Sequence, residues 1–137
     1  MLKLLNLHPE GKRVGDCVKR AIAKGFEKDY KEVSLELNRL KKVTGAIEFN
    51  ESKNYRKYVI DRGGIKISFP AVAGEPRMNG KRFCVAYPKG RYLLEMAHHV
   101  SVCVDGVIYD SWDCTEKCVY TAYKLPDVDN IKRRVLL

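Results

Sequence analysis

Two runs rich in β-branched and aromatic residues flank the dipeptide Asp105-Gly106. Short runs of β-branched and aromatic residues separated by Asp-Gly are typical of a β-hairpin with a two-residue type I′ turn. Such a turn determines which residues of the two strands face each other. We therefore predict that Val104 faces Val107, and that His99 faces Trp112 at the open end of the hairpin.

One face of this predicted hairpin carries chemically active side chains. Because side chains alternate across a sheet, His99, Ser101, Asp110 and Trp112 share that face. Asp110 is the diagonal neighbour of His99, within reach of a side-chain contact. A carboxylate and an indole beside an imidazole suit an oriented catalytic base. A half-buried structural His–Asp pair would give the same pattern.

Helical spacing of apolar residues dominates the chain before this hairpin. The first predicted helix begins at Cys17 after the cap Asp16 and stops at Gly25. The second follows the cap Asp29 and runs to Lys41-Lys42. The third covers 54–61, and the fourth covers 80 to about 87 after the cap Asn79. In the last of these, Phe83, Val85 and Ala86 are available for packing.

Strand patterns cluster later in the chain. Residues 91–96 and 119–125 read as strands, 65–69 as a short strand, and 1–15 as irregular or briefly extended. Helices followed by antiparallel strands predict an α+β fold, in which N-terminal helices pack on a C-terminal antiparallel β-sheet.

Length and hydropathy restrict the class of protein. The 137 residues suit a single domain, 1–137. No apolar run approaches the length of a membrane span, and the N-terminal apolar stretch is too short for a signal peptide. We therefore expect a cytoplasmic protein that does not associate with membranes.

The charge balance is strongly basic. The formal net charge is +9, with clusters at Lys41-Lys42 and Lys132-Arg133-Arg134. Such a surface suits an acidic partner or nucleic acid, but also an ordinary solvated surface. No nucleic-acid-binding motif accompanies the charge, so it permits nucleic-acid binding without specifying it.

The five cysteines do not suggest a disulfide framework, since a cytoplasmic compartment is reducing. Cys114 and Cys118 have a C-x-x-x-C spacing that could begin a zinc site with His98 nearby, but no second pair with ligand spacing follows. We expect no metal and no cofactor, and assign Cys84, Cys103, Cys114 and Cys118 to packing.

Cys17 is placed differently from the other cysteines, since it opens the first predicted helix. A helix N-terminus presents free N–H groups and a positive dipole end, which lower the pKa of a thiol and favour the nucleophilic thiolate. A small apolar residue at a helix start is the alternative interpretation.

The predicted elements provide the three groups that nucleophilic acyl chemistry needs: a cysteine at the start of a helix, a histidine at the start of a strand and an acidic residue on the paired strand. The nucleophile, base and orienting residue would be Cys17, His99 and Asp110. Here the chain resembles the papain-like cysteine proteases, in a minimal form. Asp110-Ser111-Trp112 resembles that family's Asn-Ser-Trp, in which the indole shields the histidine contact, and residues 99–102 resemble its histidine strand. Residues 15–22 and 89–113 are also similar to small uncharacterised bacteriophage and prophage proteins.

The sequence departs from the family where the oxyanion is stabilised. Papain-like proteases place a glutamine shortly before the nucleophile, and this chain contains no glutamine. The Cys17 backbone N–H would then need another donor, for which Asn6 or His8 is a candidate. His98 is the rival base, but the derived register points it away from Asp110.

These features predict a cysteine hydrolase of peptidase, isopeptidase or amidase type, acting on a protein or peptide substrate such as a host protein. The alternative is an inactive basic phage accessory protein that binds an acidic host protein or nucleic acid. Its binding would weaken steeply with salt if phosphate contacts drive it.

Overall fold

A computed structural model of the chain describes residues 1–12 and 15–127, and within them the fold is α+β as expected. The helices are α1 Cys17–Phe26, α2 Tyr30–Thr44, α3 Ser52–Asp61 and α4 Gly80–Ala86. The strands are β1 Leu2–Leu4, β2 Ile65–Ser68, β3 Arg91–Met96, β4 His99–Val104, β5 Val107–Asp110 and β6 Val119–Leu125.

The strands form one six-stranded sheet in the order β1-β5-β4-β3-β6-β2. Strand β1 pairs in parallel with β5, whereas the other neighbours are antiparallel. The prediction of a C-terminal antiparallel sheet is therefore wrong in two respects. The sheet contains a parallel pair of strands, and it includes an N-terminal strand. A three-residue strand is too short to show the alternation that identifies strands in a sequence.

Helices cover both faces of the sheet. On one face, α1, α2 and α3 bury an apolar core that includes Phe26, Leu37, Tyr58 and Val102. On the other face, α4 buries Phe83 against a second apolar cluster. Val85 and Ala86 do not pack as expected, since both are exposed, Val85 by 82%.

Helix α1 does not stop at Gly25 as its sequence suggests. The helix continues to Phe26 and ends where Glu27 takes the left-handed conformation, at φ 50°. A Cβ atom on Gly25 would lie 2.7 Å from Leu125 Cδ1. Gly25 therefore lies directly against the Leu125 side chain, which would have to shift to make room for a larger residue here.

Two tight hairpins position the strand that begins with His99. The predicted register between β4 and β5 is confirmed, with Val104 opposite Val107. Asp105 and Gly106 have φ values of 49° and 76°, as a type I′ turn requires. At the other end of β4, residues 97–98 form the turn from β3, so that His99 faces Met96.

The two clusters of basic residues in the sequence differ in whether the structure describes them. The Lys132-Arg133-Arg134 cluster lies outside the described residues. Lys41 and Lys42 lie in the last turn of α2, where their positive charges interact favourably with the negative end of the helix dipole.

In the described part of the chain, no helix is both long and apolar enough to cross a membrane.

Candidate active site

Cys17 is the first residue of α1 and is partly buried where this helix meets the beginning of β4. The backbone N–H of Val100 and the His99 side chain both hydrogen bond to its thiol. The first N–H groups of a helix have no partner within the helix, so they add positive potential at this position. Asp16 occupies the N-cap position without capping through its side chain.

The Asp16 carboxylate is buried beside Cys17, where an uncompensated negative charge would oppose a thiolate. The structure compensates this charge with an ion pair to Arg20, and Tyr30 Oη donates a hydrogen bond of 2.7 Å to Asp16 Oδ2. Asp16 therefore ties α1 to α2 instead of capping α1, which its position in the sequence does not reveal.

The His99–Asp110 pair is present as predicted from the hairpin. His99 Nε2 lies 2.7 Å from Asp110 Oδ2, and both side chains are almost fully buried. Because Asp110 engages Nε2, Nδ1 is the ring nitrogen left for Cys17. The Trp112 indole lies against the imidazole, with the ring centroids 4.9 Å apart, and its outer side is exposed to solvent.

Asp110 is itself held by several donors. Ser101 Oγ donates to Oδ2 at 2.6 Å, and the backbone N–H of Ser111 donates to Oδ1 at 2.7 Å. The Cys114 thiol donates to Oδ2 at 3.3 Å. The strand register indicated Ser101, whereas Cys114 follows β5 in a loop whose path no periodic pattern predicts. The sequence interpretation therefore missed Cys114 as a site residue.

The surroundings of Cys17 favour its thiolate. Burial raises the pKa of the thiol, but the hydrogen bonds from His99 and Val100, together with the His99 charge, outweigh burial. The net effect lowers the Cys17 pKa below its ordinary value of 9.0.

The same contacts favour a charged imidazole. Burial lowers the pKa of His99, but hydrogen bonds with Asp110, Cys114 and Cys17 raise it to about 11. Burial raises the pKa of Asp110, yet the hydrogen bonds from His99 and Ser101 bring it below its ordinary value. The surroundings therefore favour the thiolate form of Cys17, the imidazolium form of His99 and the carboxylate form of Asp110.

An open cleft of about 460 Å³ gives access to this group. Cys17 and His99 lie on its wall, together with Glu95 on β3 and Arg56 on α3. His98, the rival base, also lines the cleft, but it is exposed in the turn before β4. His99 is the histidine that contacts both Cys17 and Asp110.

Asn6 is not placed to stabilise an oxyanion. Its side-chain amide donates to the carbonyl oxygens of Gly11 at 3.2 Å and Lys12 at 3.0 Å, which uses both of its N–H groups. His8 Nδ1 accepts a hydrogen bond from the Glu10 N–H, and the ring packs on Tyr30 at 5.4 Å between centroids. Asn6 therefore organises the loop before α1, and its amide hydrogens are already engaged there instead of being free for an oxyanion.

The zinc pattern considered for Cys114, Cys118 and His98 does not assemble. Within the described residues, the group that could hold a metal ion consists of His99, Asp110 and Cys114. Cys118 and His98 are not part of it. The three grouped side chains already hydrogen bond to one another, which accounts for their proximity without a metal.

Comparisons with protein-family models, with curated proteins and with solved structures found no match for this chain. The resemblance to papain-like proteases consequently remains a resemblance of short motifs. What distinguishes this site is its own geometry, in which a helix-start thiol, a buried imidazole and a buried carboxylate are hydrogen bonded in series.

Proposed function

We propose that this protein is a cysteine hydrolase that cleaves an amide, isopeptide or thioester bond through an acyl-enzyme intermediate. The observation that supports this proposal is the hydrogen-bonded series Cys17–His99–Asp110 at the wall of an open cleft. The resemblance of residues 99–102 and 110–112 to papain-like proteases supports the same chemistry.

In the first half of the reaction, the Cys17 thiolate attacks the carbonyl carbon of the substrate. The carbonyl oxygen becomes an oxyanion, which the Cys17 N–H at the start of α1 stabilises. The carbon–nitrogen or carbon–sulfur bond then breaks, and the His99 imidazolium gives its proton to the leaving group. Cys17 is left as a thioester and His99 as a neutral imidazole.

In the second half, His99 removes a proton from water as the water oxygen attacks the thioester carbon. The carbon–sulfur bond breaks, which releases a carboxylic acid and restores the Cys17 thiolate and the His99 imidazolium. Asp110 holds the ring in one orientation and stabilises its positive charge in both halves. Trp112 covers one side of the His99 ring and limits access of water to the His99–Asp110 contact.

Alkylation by iodoacetamide, followed at each cysteine by mass spectrometry as a function of pH, tests this proposal. Cys118 is the internal control, because it is also partly buried. We expect Cys17 to react at a pH well below its ordinary pKa of 9.0, and His99→Ala to remove that advantage.

Two results would contradict the proposal. Cys17 alkylation that follows the profile of Cys118 would show that no thiolate–imidazolium pair exists. An unchanged Cys17 profile in His99→Ala would show that His99 does not stabilise the thiolate. Either result would favour the non-enzymatic binding protein, whose nucleic-acid binding should weaken steeply with salt and persist in Cys17→Ala.

A further inference from the structure

Arg56 presents a fixed cationic group to the cleft that contains Cys17. It lies on α3, and its guanidinium donates to Glu95 Oε2 from Nε at 3.0 Å and from Nη2 at 2.8 Å. Tyr55 Oη hydrogen bonds to the same carboxylate oxygen. The Arg56 side chain is 46% exposed, whereas that of Glu95 is 8% exposed. The buried carboxylate therefore acts as an anchor behind a guanidinium that faces solvent.

The donors of Arg56 are only partly used by this anchor. A guanidinium carries five N–H groups in a rigid plane, and Glu95 accepts from two of them. Among the described residues, no protein group accepts a hydrogen bond from the other three. Two of the remaining N–H groups form the outer fork of the guanidinium, whose geometry matches the two oxygens of a carboxylate.

The position of Arg56 relative to the reactive sulfur follows from the sheet. Glu95 on β3 is paired with Val100 on β4, and the Val100 N–H contacts the Cys17 thiol. Within the described residues that line the cleft, Glu95 is the one carboxylate, and it is already neutralised by Arg56. An anionic group that enters the cleft beside Cys17 therefore shares it with Arg56 and meets no other carboxylate among the described lining residues.

We propose that Arg56 selects substrates that carry a carboxylate, such as an acidic peptide side chain, close to the scissile bond. This inference rests on the proposed hydrolase function, since it assigns the substrate class of that site. The net charge of +9 acts in the same direction, because it attracts acidic substrates toward the protein. Glu95 is a positioning residue, since it fixes the orientation of the guanidinium.

Covalent peptide probes test this specificity without knowledge of the natural substrate. The probes are acetylated dipeptide acyloxymethyl ketones that carry Glu, Gln or Lys at either position before the ketone, with Ala at the other. The rate of adduct formation at Cys17 is measured for each. At one of the two positions, we expect the Glu probe to react about tenfold faster than the Gln probe, and the Lys probe to react slowest.

Variants assign the preference to Arg56. Arg56→Gln alone leaves Glu95 buried without its cation, so Arg56→Gln is also combined with Glu95→Gln to remove both charges. In both variants we expect the ratio of Glu to Gln rates to fall to about one. Lys57→Gln is the matched control, because Lys57 is an exposed cation on the same helix that pairs with Asp61. It should keep the tenfold ratio.

Iodoacetamide labelling of the same samples separates failure of this inference from failure of the hydrolase proposal. If Cys17 shows no selective reaction with iodoacetamide, the hydrolase proposal fails and the specificity fails with it. If Cys17 is selectively reactive but Glu and Gln probes react equally, the specificity alone is refuted. A Glu preference that persists when Arg56 is replaced would also refute the role of Arg56.

Discussion

Replacing Asp110 by Asn tests whether a buried ion pair holds the candidate site together. The carboxylate accepts hydrogen bonds from His99, Ser101, Cys114 and the Ser111 N–H, through both of its oxygens. An asparagine offers one acceptor oxygen, so its NH₂ group must face at least one donor. The substitution also removes the buried carboxylate that pairs with the His99 imidazolium.

The magnitude follows from the burial of both partners. Breaking a buried ion pair by removing one partner costs about 3 kcal/mol or more. For a chain of this length, a loss of that size lowers Tm by about 10 °C. The His99 imidazolium also loses its attraction to a full negative charge, because an asparagine oxygen is a neutral acceptor. We therefore expect the His99 pKa to fall by about one unit or more.

The pH dependence has a definite sign. The pKa of His99 rises from 6.5 to about 11 on folding, so its contribution to stability is full below pH 6.5 and is lost as the pH rises toward 11. The pKa of Asp110 is lowered, so its contribution is present above its ordinary pKa of 3.8 and is lost as the pH falls through the folded value. The difference in stability between wild type and Asp110→Asn should be largest at about pH 5 to 6.

Urea denaturation at several pH values, together with the alkylation profile of Cys17, measures both effects. Asp113→Asn is the matched control, because it removes the same charge only three residues along the chain. The Asp113 carboxylate accepts hydrogen bonds from Thr115 and takes no part in the ion pair with His99. If Asp110→Asn and Asp113→Asn have the same stability and the same Cys17 profile, the buried ion pair does not organise this site.

Three further substitutions test other parts of the structure. Asn54→Ala should reduce the free energy of unfolding, measured by urea denaturation, by about 3 kcal/mol, because the buried amide donates to the Leu37 and Phe49 carbonyl oxygens. A reduction below about 1 kcal/mol would contradict these contacts. Gly80→Ala should destabilise the protein by about 2 kcal/mol in the same assay, since a Cβ atom would lie 2.9 Å from the backbone of Thr115. An unchanged midpoint of urea denaturation would show that α4 is packed less closely than this distance implies. Asn6→Ala should leave the pH profile of Cys17 alkylation unchanged while it loosens the loop before α1, and a shifted profile would return Asn6 to the active site.

Local signals in the sequence were sufficient for most helices and for the central hairpin. Asp29 caps α2 and Asn79 caps α4 as predicted, since each accepts a hydrogen bond from the N–H three residues later. Asp105-Gly106 determined the register of β4 and β5, because both residues adopt the positive φ that this turn needs. The His99–Asp110 contact follows from that register alone. It could therefore be predicted before any tertiary contact was known.

Contacts between distant segments depended on the tertiary structure. Strand β1 is too short to show a pattern, and it joins the sheet because β5 offers it an unpaired edge. Gly25 has the local appearance of a helix end, yet α1 continues past it and places it against the Leu125 side chain. Cys114 reaches Asp110 through a loop, and Arg56 meets Glu95 across 39 positions of sequence.

The sequence by itself determined which side chains could form an acyl-transfer site and placed two of them, His99 and Asp110, in contact. It did so because turn chemistry and strand alternation are local properties of the backbone. The tertiary structure alone decided that α1 brings Cys17 to His99, and that Arg56 shares the cleft with both. Those contacts depend on how helices pack on the sheet, which is set by burial of apolar surface across the whole chain.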